Sequence, residues 1–146
     1  MATTTATITL SSADLLSDNL SLSATMNLYQ HNTQATGLDE MNYHRLVIPT
    51  GTSFDLIAES AALSEDASYV YIINKNTDVT DYVKISINTE EIGRLYAGDW
   101  LFMPWDCDLS AAANDSTIEI QAFTHEHIIE YALFHNGETL VTSADS

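Results

Sequence analysis

The chain has 146 residues, of which 45 % are hydrophobic and 17 % charged, a length and balance sufficient for one domain to bury its own core. Its 21 acids face only Arg45, Lys75, Lys84 and Arg94, giving a formal charge of −17. Such a field repels phosphate backbones and anionic lipid head groups, so neither nucleic acid nor a membrane is an expected partner, and a protein partner must bring basic groups or an apolar contact.

Residues 1–5 are small and polar and read as a flexible arm; 6–142 read as a single β-domain, and 143–146 as a flexible tail. The first basic residue is Arg45, so the amino end lacks the pattern of a secretory signal, and no run approaches ~18 apolar residues. A soluble protein is expected. Residues 6–10 alternate as a strand does, and 11–18 read as one helical turn capped by Ser12 or as a loop. From Leu20 to Leu28 every second residue is apolar and the intervening ones are polar, which predicts a strand with one wet face.

After a loop over 30–39 come strands at 41–48 and 53–58, turned by Pro49 and Gly51. Residues 59–68 have helical types but suffice only for a turn or two between sheets. Two β-branched, aromatic runs, 69–73 and 82–87, flank turn residues 74–81 and predict a hairpin. A turn at 88–91 leads into 93–105. Residues 106–116 read as a loop or short helix; strands at 117–123 and 128–134 follow, and Asn136-Gly137 predicts a tight turn into 139–142. Eight to ten short strands without a sustained helical period predict an all-β fold, an antiparallel β-sandwich or jelly roll with short helical turns in its loops.

Residues 93–105 form the expected structural centre and a possible interface. Tyr96 belongs to this centre, and Ala97, Gly98 and Asp99 after it read as a tight turn, Gly98 accepting positive φ and Asp99 bonding its own backbone. Beyond it Trp100, Phe102 and Pro104 point to one face, and Leu101, Met103 and Trp105 to the other, so the strand is expected to be buried on both sides.

The candidate chemistry is sparse. Cys107 lies between Asp106 and Asp108, which oppose a thiolate, and reads as a packed bystander. Asp106 and Asp108 with Asn114 and Asp115 offer oxygens to Ca²⁺ without EF-hand spacing. The glycines are scattered and no nucleophile elbow occurs, so no enzyme and no cofactor are expected. Tyr29, Tyr43, Tyr69, Tyr71 and Tyr96 suit either packing or stacking on sugars. His125 and His127, two apart, share one face of a strand, and with Glu130 they resemble part of the first cupin motif, which implies a metal inside a jelly roll. The spacing from His127 to Glu130 is one residue short of that motif, and plain surface histidines remain the alternative.

Tyr69-Val-Tyr-Ile-Ile-Asn-Lys-Asn-Thr77, Tyr82-Val-Lys-Ile-Ser-Ile87 and the stretch from Ile92 to Trp105 resemble small virion structural proteins of tailed phages, notably cyanophages. The likeness spans about a quarter of the chain. It implies a β-domain in the phage head, assembled in the host cytoplasm: a capsid decoration or cement protein that forms homo-oligomers and binds the major capsid protein or other virion proteins. A tail, fibre or adhesin module that binds glycans is the alternative, and a cupin-like metal-binding protein the second.

Overall fold

A computed structural model of the chain describes residues 4–15, 20–29, 37–38, 40–57, 69–105 and 117–135. Their strands are β1 (Thr4–Ser12), β2 (Leu20–Leu28), β3 (Glu40–Ile48), β4 (Phe54–Ile57), β5 (Tyr69–Asn74), β6 (Tyr82–Ile87), β7 (Glu90–Tyr96), β8 (Trp100–Pro104), β9 (Ile118–Ala122) and β10 (His127–His135). No described helix is long and apolar enough to cross a membrane. The helical turns expected at 59–68 and 106–116, the turn at Asn136 and Gly137, the strand at 139–142 and the tail lie outside the described residues, as do Cys107 and the acids beside it.

The all-β expectation holds. β1 and β2 form a two-stranded antiparallel arm, and the other strands form two four-stranded antiparallel sheets, ordered β3-β10-β5-β8 and β4-β9-β6-β7. The pairing is nested: β3 with β10, β4 with β9, β5 with β8, and β6 with β7 at the centre. The chain thus runs out along β3 to β6 and returns antiparallel beside itself along β7 to β10. The double ribbon is rolled so that alternate pairs fall into opposite sheets. At its fold, β6 and β7 are joined through Asn88 and Thr89, both at positive φ, which is the two-residue turn that suits the twist of a hairpin.

This arrangement corrects the predicted hairpin of 69–73 with 82–87. β5 and β6 do not pair; they lie in different sheets, and residues 75–81 carry the chain across. The amino-terminal boundary also shifts, because Thr4 and Thr5 belong to β1 and pair with Leu28 and Asn27.

Alternation explains the core. Val70 and Ile72 of β5, Val83 and Ile85 of β6, Ile118, Ile120 and Ala122 of β9, and Ile129 and Leu133 of β10 are all buried in one cluster drawn from both sheets. Side chains on a strand alternate between faces, so each of these strands gives its even or odd set to the space between the sheets. Ile48, Leu56, Ile57, Leu95 and Trp105 complete it. Two sheets sharing one core make a sandwich.

The structural centre at 93–105 is only half as expected. Among the described strands β8 stands at the edge of its sheet, not inside it. Leu101 and Met103 pack on the core and Trp105 is 3 % exposed, but Trp100 on the opposite face is 51 % exposed. Pro104, which has no N–H to give a ladder, is tolerated because it stands at the end of that edge.

Candidate functional site

Two features stand out: a buried polar network at one end of the sandwich, and an aromatic outer face on the β3-β10-β5-β8 sheet.

The network begins at Asn74, the last residue of β5, which continues the inward set of Val70 and Ile72 and is fully buried. Its backbone N–H donates to Asp99 O at 3.0 Å and its carbonyl accepts from Gly98 N–H at 2.9 Å, which fastens the β7–β8 turn to β5. That turn is as the sequence predicts: Gly98 has φ +85°, and the Asp99 carboxylate accepts from the Tyr96 N–H at 3.0 Å. The Asn74 amide donates to Leu95 O at 2.9 Å and its side-chain oxygen accepts from the Asn76 N–H at 2.9 Å. The Asn74 amide nitrogen also lies 3.1 Å from His127 Nδ1.

His127 Nδ1 lies 3.3 Å from the Asn74 side-chain oxygen as well, so both ends of the Asn74 amide are within reach of it. Nε2 lies 3.2 Å from Asp81 Oδ2, off the line of a hydrogen bond, and His127 is fully buried. His125, which is largely exposed in the β9–β10 turn, donates from Nδ1 to the same Asp81 oxygen at 2.9 Å. Asp81 also accepts from the Tyr82 N–H at 2.9 Å. Burial acts to raise the Asp81 carboxyl; hydrogen bonds from His125 and Tyr82 and the nearness of His127 outweigh it and hold its pKa below the ordinary carboxylate value.

His125 and His127 therefore do converge, but on Asp81 and Asn74 rather than on Glu130. Three residues along a strand reverse the face: His127 points into the core, while Glu130 points out and meets Arg45 at 3.6 Å. The cupin-like set of His125, His127 and Glu130 is not assembled, and among the described residues no group of three or more such side chains is placed to hold a metal ion. Asp81 and Asn74 are the residues that sequence reasoning missed. Both sit in the run read as turn residues, and the only signal was Asn74 falling in step with Val70 and Ile72.

The network makes a pH prediction. A carboxyl whose folded pKa lies below its unfolded value of ~3.9 adds stability that is complete above that value and is lost as pH falls through the folded one. Urea midpoints of the wild type should fall on acidification through and below the normal carboxylate range. Asp81→Asn should be less stable at neutral pH and show a flatter acid limb; parallel acid limbs would contradict the role given to Asp81.

The second feature follows from register. Opposite the core set, β5 presents Tyr69, Tyr71 and Ile73; β8 presents Trp100, Phe102 and Pro104 beside them; β10 adds Ile128, Ala132 and Phe134; and β3 adds Met41, Tyr43 and Val47. Tyr69 stacks on Phe102 at 5.6 Å, Phe102 meets Phe134 edge-on at 6.2 Å, and Tyr71 lies 6.3 Å from Trp100. Of the residues named for this face, Met41, Tyr43, Val47 and Trp100 are each about half exposed.

Only Arg45 and Glu130 bring charge to these outward positions, and they are paired; Tyr43 donates to Glu130, and that bond, with burial and the carboxylate's charge, raises its phenol pKa. Comparison with models of known protein families and with curated proteins gives no significant match.

The remaining predicted residues are dispersed. Tyr96 lies on the outer face of the other sheet, 5.2 Å from Tyr82, while Arg94 stands 4.7 Å over the Tyr82 ring. His44 is exposed and stacks on Tyr131 at 5.2 Å. Tyr43, Tyr69 and Tyr71 share the aromatic face; Tyr96 does not.

Proposed function

We propose that this protein is a virion structural component of a tailed phage, a capsid decoration or cement protein that binds the outside of the head shell and stabilises it. The observation that carries the reading is the outer face of the β3-β10-β5-β8 sheet. An aromatic surface whose margins, Met41, Tyr43 and Val47 on β3 and Trp100 on β8, stay half exposed on a chain of charge −17 offers a surface for attachment. The nested strand order supports it too. A double ribbon rolled into two four-stranded sheets is the winding of a jelly roll, and we read the fold as one. That fold recurs in viral capsid and lectin domains, an analogy of architecture that adds to the resemblance of residues 68–105.

In this reading the aromatic face and its rim seat on neighbouring virion proteins and bridge joints of the shell, so bound copies stabilise the assembled state by mass action. Particles carrying the protein should rupture at a higher temperature than particles stripped of it, and adding purified protein back should restore the difference. Equal rupture temperatures would remove the proposal. The clustering of Tyr43, Tyr69, Tyr71 and Trp100 favours one other reading, a tail, fibre or adhesin module that stacks sugars. Binding on a glycan array, together with location in the tail fraction of disrupted particles, would choose it.

A further inference from the structure

The β1–β2 arm is two-faced. Its register places Ala6 opposite Met26, Ile8 opposite Ala24 and Leu10 opposite Leu22, so one side is apolar along its middle, while Thr5, Thr7, Thr9, Ser21, Ser23 and Thr25 form a polar one. Thr7 and Thr25 hydroxyls meet at 2.9 Å there. The described anchors of the arm lie at one end. Thr4 Oγ1 donates to Leu38 O at 2.8 Å and the Leu38 N–H donates to Leu28 O at 3.2 Å, with Leu28 and Leu38 both buried. Beyond that base, β1 and β2 ladder to each other and to no other described strand.

The apolar side is turned toward the β5–β8 part of the sheet. Between them lies a gap of about 700 Å³, lined by Ile8, Ala24 and Met26 on the arm and by Tyr71, Trp100 and Phe102 on the sheet; Thr7 and Thr25, between the apolar positions along the strands, border it as well. Ile8, Met26 and Trp100 stay 45, 42 and 51 % exposed. A two-stranded ribbon on its own is marginal in water and needs a further layer to pack on. Water held between mostly apolar walls finds few partners for its hydrogen bonds, so the gap is unfavourable to keep filled.

We infer that the arm is a strap, hinged at Thr4, Leu28 and Leu38, that closes on its own sheet and brings Ile8 and Met26 down onto Trp100 and Phe102. The movement is a tilt of the ribbon about its base, and it breaks no ladder between β1 and β2. Tethering favours this occupant over a separate molecule. The arm is held beside the face at a high effective concentration and gives up no translational freedom on closing. The gap does not reach β3, so closure covers the Trp100 margin and leaves Met41, Tyr43 and Val47 open. The strap therefore sets which margin is on offer: a partner beside Met41 and Tyr43 finds the surface free, and one that seats on Trp100 must first lift the arm. Closure belongs to the free chain and does not rest on the virion reading.

The chain has two tryptophans, and Trp105, at 3 % exposure, is out of a quencher's reach, so acrylamide quenching of fluorescence in the full chain reports on Trp100, with Trp100→Phe supplying the Trp105 background. The comparison is Ile8→Thr with Met26→Thr, which removes the apolar contact at two exposed positions and keeps residues that favour strands, so circular dichroism should be unchanged. Quenching of Trp100 should rise about threefold or more in that variant, as the closed population is lost, and its emission should move to longer wavelength. Neither reading should depend on protein concentration. In dilute wild type, nuclear Overhauser contacts should connect the Met26 methyl with the Trp100 indole. Equal quenching in the two chains, shielding of Trp100 that develops only as concentration rises or a second protein is added, or the absence of those Overhauser contacts would overturn the strap.

Discussion

Replacing Asn74 with leucine should lower the stability of the fold by about 3 kcal/mol or more, close to 10 °C in melting temperature for a domain of this size. The substitution is nearly matched in volume and adds apolar surface, so burial alone argues for a gain. The loss comes from what Asn74 leaves behind. Leu95 O loses a donor, the Asn76 N–H loses an acceptor and His127 Nδ1 loses its partner. Leu95 and His127 are themselves buried, and a buried polar group without a partner costs ~1–3 kcal/mol. Urea unfolding followed by tryptophan fluorescence measures it, and an unchanged m-value would locate the effect in the native state. Asn74→Ala and His127→Ala should be far from additive, since either one alone breaks the same network. A midpoint unchanged in Asn74→Leu would mean that the side chain merely fills space.

Ile85→Ala is expected to cost about 4 kcal/mol, the upper part of the range for large-to-small core changes. Ile85 is fully buried on β6, an inner strand, with Ile120 opposite it on β9 and Gly93 opposite it on β7. The ladders to β7 and β9 hold β6 in place on both sides, so most of the cavity should persist. Ile85→Val removes one methylene and should cost only ~1 kcal/mol, and a loss as large as that of alanine would point to strain rather than a void.

The contrast between what was and was not legible runs through these same residues. The alternation of Val70 with Ile72, and of Ile118, Ile120 and Ala122, announces strands and their inward faces, because burial on a strand has a period of two. Strand pairing is written elsewhere. Turn residues at 74–81 report that the chain changes direction, but not whether it turns back onto its own strand or crosses to the other sheet, since the two differ in distant partners. The aromatic run at Trp100 and Phe102 looks the same whether a second layer covers it or not; only the structure places it on an edge with one face open. Glu130 was separable from His127 by parity alone. Asn74 and Asp81 were not recognisable as network members, because the same residue types serve exposed turns.

The nested pairing has a consequence for biosynthesis. β10 lies between β3 and β5 and leaves the ribosome after every other described strand. Until it emerges, among the described strands β3 has no neighbour in its sheet and β5 has only β8, so the nascent chain holds two open ladders throughout its translation. Closure is a late, long-range event with a high entropic cost, of the kind that makes β-rich domains slow to fold and prone to tangle at high expression. Slower growth or added holdase chaperones should therefore raise soluble yield more than any change to the mature surface.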